Sequence, residues 1–266
     1  VEEFLNNDDK IIETILKESR GIEDILNNCL LKKFADIHNI PDEHNFFYLK
    51  QEIVAKKAYF LNVKKKYALY KVNSEGVPVN EYELKGLVTQ RSDYPSITKL
   101  KIKELLDLLI KSEKVSFKKI RKFVKDTREE INILCNERSK TVARPVSFNK
   151  KLSAYVRIPS QVEGMLLWNL LEYDYFVPGT RGYQFKIIGV DELIAPERVL
   201  KNIHKITPKN NNIVLPYEEE FLPPYYILEF EKMVELAWDA RVSELLDPIS
   251  NKVNKKKVND NMLEVF

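Results

Sequence analysis

Apolar positions near the start of the chain recur at helical spacing. Ile11, Ile12, Ile15 and Leu16 fall on one face, and Ile22, Ile25, Leu26, Cys29, Leu30 and Phe34 resume the pattern beyond Gly21. Two helices are predicted, over 8–19 and 22–37, with a stop at Asn39-Ile40-Pro41-Asp42. The period then changes. From 46 to 72 the strand formers Phe46, Tyr48, Ile53, Val54, Tyr59, Phe60, Val63, Tyr67, Leu69, Tyr70 and Val72 alternate with lysines. Asn73-Ser74-Glu75-Gly76 signals a turn, and Glu81 to Val88 reads as a further strand. This predicts an antiparallel sheet with one polar, basic face.

Helical spacing returns after Pro95. Ser96 opens a helix to about Lys111, with Ile97, Leu100, Leu105, Leu106 and Leu109 inward. Ser116 is placed to cap the next, which runs to about Asn136. A helix over 160–172, a loop at Gly179-Thr180-Arg181-Gly182, a strand from Tyr183 to Val190 and a closing helix over 226–246 complete the pattern. Pro223-Pro224 and Pro248 bound that last helix, and the tail beyond Ile249 is rich in Asn and Lys. The fold class predicted is α+β: a small antiparallel sheet with flanking helices, then a mostly helical domain with a few strands. Residues 1–92 form the first part, 93–248 the second, and 249–266 a flexible tail.

Composition narrows the classes. A hydrophobic share of 44% supports a core, and 26 Phe and Tyr residues against 7 Gly exclude a low-complexity chain. Apolar runs such as Met165 to Trp168 are too short to cross a bilayer, which predicts no membrane partner. Cys29 and Cys135 make neither a disulfide framework nor a four-cysteine zinc site, as expected of a reducing compartment. The net charge of +3 hides an asymmetry. Residues 1–30 carry eight acids and three bases, and 218–247 carry nine acids and two bases. Between them, 50–71 hold seven lysines and one acid, 111–128 eight bases and two acids, and 138–157 six bases and no acid. A basic middle fits an anionic polymer, and ordinary solvated faces fit the charge alone equally well.

No self-contained catalytic constellation is visible. Neither a Walker A nor a Rossmann glycine pattern occurs. His38, His44 and His204 are far apart, and the first two read as solvated turn residues. Asp8-Asp9 sits where a helix N-terminus favours negative charge. No catalytic or metal-ligating residue is assigned.

The run Leu49-Lys50-Gln51-Glu52-Ile53-Val54, then Lys64-Lys65-Lys66-Tyr67-Ala68-Leu69 and Leu84-Lys85-Gly86-Leu87, resembles the late palm of family B DNA polymerases of the bacteriophage replicative type. Arg91-Ser92-Asp93-Tyr94-Pro95 is similar to that family's palm-to-thumb junction. Pro159 to Asn169 resembles its thumb helix, with Gln161 and Glu163 where His and Arg are usual, and Gly179 to Phe185 resembles the loop after it. Val214-Leu215-Pro216, Tyr226-Ile227-Leu228 and Leu246-Asp247-Pro248 are similar to the closing segment. The ordered resemblance covers Phe46 to Pro248.

The resemblance implies a C-terminal palm-and-thumb portion of a template-directed DNA polymerase, a nucleotidyltransferase of DNA replication. Its DNA-binding residues would be Lys64, Lys65, Lys66, Tyr67, Lys85, Arg91 and Ser92. Lys65 would sit in the minor groove near the primer end, with Tyr67 bracing the primer backbone. The catalytic aspartate motifs, fingers and exonuclease would belong to an upstream portion, which is the implied protein partner. Mg²⁺ would act in the complete enzyme and not bind this chain. Primer-template DNA is the implied ligand. The tail residues Met262, Leu263, Val265 and Phe266 resemble a sliding-clamp peptide. The implied location is the cytoplasm of an infected bacterial host cell. Two other readings stay open: a non-catalytic nucleic-acid-binding or interaction protein that keeps a polymerase-like thumb, and an unrelated phage structural protein with a basic face.

Overall fold

A computed structural model describes residues 8–112, 116–207 and 211–254. The architecture is α+β, with one three-stranded and one four-stranded sheet. The chain divides into two units. The first runs to Tyr59 and resumes from Tyr67 to Leu84; the second takes Phe60–Lys66 and the described residues from Lys85 on.

In the first unit, α1 (Asp8–Ile25) does not stop at Gly21. It passes through a π-helical turn (Leu26–Leu31) directly into α2 (Lys32–Ile37). The two predicted helices are thus one continuous rod, because a lone glycine weakens a helix without breaking it. The strand predicted from Phe46 begins only at Ile53. Residues before it bond to α1 and the π turn instead. Asn27 donates from Nδ2 to the Leu49 carbonyl and accepts the Leu49 N–H at Oδ1, both at 2.8 Å, and Glu23 accepts from the Gln51 N–H. Those side chains take up backbone groups that a ladder would otherwise have paired.

The antiparallel sheet follows in the order β1 (Ile53–Phe60), β2 (Tyr67–Ser74), β3 (Val77–Lys85). Glu75 and Gly76 make the two-residue turn between β2 and β3, with φ of 51° and 86°. Both central residues are left-handed, as a type I′ hairpin requires. Asn73 Oδ1 holds the turn by accepting the Gly76 N–H at 2.9 Å.

The second unit is built on α3 (Ser96–Ile110), α4 (Phe117–Asn136) and a four-stranded antiparallel sheet. Ser116 caps α4 as expected, accepting the Lys119 N–H. Leu100, expected inward, is half exposed, while Ile97, Leu105, Leu106 and Leu109 are buried. The sheet comprises β4 (Arg144–Ser147), β5 (Arg181–Val190), β6 (Asn212–Pro216) and β7 (Tyr226–Leu228), with β5 pairing the other three. α5 (Ser160–Leu171) lies against β6. A Cβ on Gly164 would stand 3.0 Å from the Asn212 carbonyl oxygen, so a side chain there would require β6 to shift. Trp168 is buried, whereas Tyr173 is exposed and its hydroxyl bonds Glu219. A short α6 (Glu197–Asn202) precedes β6.

The closing helix begins later than predicted. Tyr226–Leu228 is strand β7, and α7 (Phe230–Val234) continues through a second π turn (Glu235–Asp239) into α8 (Ala240–Asn254). Trp238 is buried in that turn and donates to the Val124 carbonyl, while Thr98 Oγ1 donates to the Ala237 carbonyl at 2.6 Å. The Thr98 bond occupies a carbonyl within the turn, where the α-helical ladder shifts. Pro248 lies inside α8 and does not end it. Among the described residues no helix is long and apolar enough to cross a membrane.

Candidate nucleic-acid interface

Lys64, Lys65 and Lys66 do not lie on a strand. They form the turn between β1 and β2, so the expected alternation of faces gives way to a different sorting. Leu61 N–H bonds the Lys66 carbonyl at 3.1 Å, and Lys66 N–H bonds the Val63 carbonyl at 3.3 Å. Lys65 takes φ of 63° to close the turn. Two acids one turn apart on α8 clamp this loop: Glu244 pairs with Lys66, and Asp247 accepts from the Asn62 amide. Lys66 is therefore an anchor. Lys64 and Lys65 stand exposed at the tip, and neither side chain has an ion-pair partner among the described residues.

The remaining expected DNA contacts are dispersed. Tyr67 belongs to the first unit, where its hydroxyl donates to Glu83 at 3.0 Å. Lys85 ends β3 and is exposed. Ser92 is exposed in the loop before α3. Arg91 is committed to Asp93 by two parallel bonds of 2.9 and 2.8 Å, and this fork holds the Asp93 carboxyl below the usual carboxylate range. Met262, Leu263, Val265 and Phe266 lie outside the described residues.

α4 carries a second cationic surface. Lys118, Lys119, Arg121, Lys122 and Lys125 are all exposed within its first nine residues. The N-terminal end of a helix already bears partial positive charge, so this crowding works against the macrodipole.

A third feature has no counterpart in the sequence reading. The register β4–β5–β6 sets Arg144 opposite Gln184 and Lys186 opposite Asn212. Residues two apart share a face, so all four side chains project from one side of the sheet. There they meet a cavity of about 520 Å³ whose wall also includes Tyr94, Ser160 and Arg241. Asp93 is its one acidic lining residue. Arg241 links the cavity to the lysine turn: its guanidinium sits 4.9 Å from the Tyr94 ring centroid and 3.6 Å from Glu244, the partner of Lys66. Arg144 and Lys186 belong to no motif in the sequence. Only strand pairing brings them together.

Among the described residues no three His, Cys, Asp or Glu side chains cluster as a metal site requires.

No family model matches the chain, and no curated protein does. Among solved structures the chain is similar to the family B DNA polymerase from the hyperthermophilic archaeon Pyrobaculum calidifontis, with a TM-score of 0.48 and 14% identity. That likeness covers 83% of this chain and 24% of the archaeal one, so the chain spans about a quarter of that polymerase.

Proposed function

We propose that this chain is the C-terminal palm-and-thumb portion of a family B DNA polymerase of the bacteriophage replicative type, and that its role is to grip primer-template duplex. The observation that carries this reading is the Lys64–Lys65 turn. Two cations with no ion-pair partner among the described residues stand at the tip of a hairpin whose third lysine is tied down by Glu244. A cation without a protein partner costs little to transfer to a phosphate or a groove edge. One already paired must first give up its partner. The ordered resemblance from Phe46 to Pro248 supports the same reading, and the exposed cations of α4 add sequence-independent attraction.

On this reading Lys64 and Lys65 contact the duplex, and Lys66 holds the turn in shape. Minor-groove acceptors look alike in A·T and T·A pairs, so a lysine there grips without reading sequence. The upstream portion supplies the fingers, exonuclease and metal-binding aspartates, and with them nucleotidyl transfer in the host cytoplasm. The Met262–Phe266 terminus is the proposed sliding-clamp peptide. Its removal reduces clamp-dependent synthesis and spares distributive synthesis.

Filter binding of a primer-template duplex across a salt series tests the grip. The chain binds without sequence preference, and the log–log salt slope steepens by about 0.9 for each neutralised phosphate. Replacing Lys64 and Lys65 together by alanine makes the slope shallower by about one to two units. Absent or salt-independent binding, or a double variant equal to wild type, would overturn the reading.

A further inference from the structure

We infer that the cavity in the second unit is a binding site for the phosphate ester of a nucleotide. It goes beyond the duplex grip and does not depend on it.

The first argument is charge. Arg144, Lys186 and Arg241 line the cavity against a single acid, Asp93. That acid is already held by both nitrogens of the Arg91 fork, with Arg144 at 3.6 Å as a further neighbour. Arg241 is offset by Glu244 at 3.6 Å, so Arg144 and Lys186 leave the lining with its surplus of positive charge, and an anion is the natural complement. Arg144 lies more than half exposed at the cavity wall, and a guanidinium there is suited to an oxyanion, which accepts several N–H bonds at once.

The second argument is the neighbouring amide pair. Asn212 is 4% exposed and lines the same cavity. It accepts from Gln184 at 3.0 Å, which leaves Gln184 Oε1 and Asn212 Nδ2 without protein partners among the described residues. One acceptor beside one donor is the complement of an amide-like edge, such as a nucleobase presents. Val142, Met233 and Leu236 add an apolar stretch of wall. Bare phosphate would leave that wall and the amide edge unused. A volume of about 520 Å³ lies in the range of small-ligand pockets and admits a whole nucleotide.

The third argument is the opening of α5. Ser160 is its first residue and lines the cavity, with its hydroxyl available as a donor. This twelve-residue helix directs its positive end towards the same space.

The phosphate ester has two possible sources, a free nucleotide or the 5′-phosphorylated end of a strand. Equilibrium binding to the full chain, with fluorescently labelled dATP as probe, tests the site. Arg144→Glu and Lys186→Met each weaken dATP binding about tenfold or more, the scale of one charge-assisted bond. Lys201→Gln, exposed on α6, leaves it unchanged. Arg144 is more than half exposed, so its variant folds, and coincident circular dichroism melts verify this. Competition separates the sources. If a 5′-phosphorylated oligonucleotide displaces dATP and its 5′-hydroxyl twin does not, the site takes strand ends. If neither displaces dATP, it takes free nucleotides. Displacement by both twins alike, binding unaffected by Arg144→Glu, or no binding of either probe overturns the inference. Loss of duplex affinity in the Lys64/Lys65 double variant with dATP binding intact separates failure of the grip from failure of this site.

Discussion

Gly86 and Lys65 meet backbone to backbone: a Cβ on Gly86 would stand 2.5 Å from the Lys65 carbonyl oxygen. Both residues are left-handed, with φ of 65° and 63°. The glycine is needed twice, for its own conformation and for the space beside the lysine turn. Gly86→Ala loses on the order of 1–2 kcal/mol from the left-handed backbone alone, with the clash in addition. Urea unfolding measures the loss. Duplex affinity falls as well, because the turn must shift to admit the methyl group.

Lys66 differs from its neighbours in what its loss does. Its pair with Glu244 is about one-quarter exposed on each side, so Lys66→Ala costs about 1 kcal/mol or less. Lys64→Ala and Lys65→Ala leave stability within about 0.5 kcal/mol, as expected of exposed turn residues. For duplex binding the order reverses, with the Lys64 and Lys65 variants weakened more than Lys66→Ala. Parallel urea and filter-binding measurements on the three variants test this crossing, and the same rank order in both assays would refute it.

Lys118 and Lys119 in the first turn of α4 oppose the helix dipole. Replacing both by glutamine raises stability by a few tenths to about 1 kcal/mol while lowering duplex affinity. Opposite signs for the two effects are the signature of charge kept for a ligand. Thermal unfolding alongside filter binding reads both, and a fall in stability would show that the lysines serve the fold instead.

Cys135 is fully buried, and burial pushes its thiol up to about 12. In the folded chain it stays a neutral thiol at pH values where the unfolded chain holds a thiolate. The unfolded state is then the one that loses a proton. The stabilising contribution is complete below about 9 and is lost as pH rises towards about 12. Iodoacetamide at mildly alkaline pH therefore modifies exposed Cys29 in the folded chain and reaches Cys135 only in denaturant. Peptide mass mapping of both states checks this.

The sequence by itself determined the elements whose signals are local. Ser116 caps α4 because its oxygen meets an N–H three residues away, and Glu75-Gly76 turns because those positions tolerate positive φ. The α+β class, the helix from Ser96 and the helix from Ser160 were legible for the same reason. Tertiary structure decided whatever depended on a partner distant in sequence. Phe46 to Leu49 has strand composition, yet Asn27 takes up the Leu49 backbone before any ladder can. The triple lysine reads as one basic run, but Glu244, 178 residues on, makes one lysine an anchor and leaves two exposed. Arg144, Lys186 and Arg241 are unremarkable along the chain. The register of β4, β5 and β6 sets the first two on one face, and α8 brings the third to the same cavity. Such convergence has no period and no spacing, because it follows from strand pairing and helix packing that only the folded chain supplies.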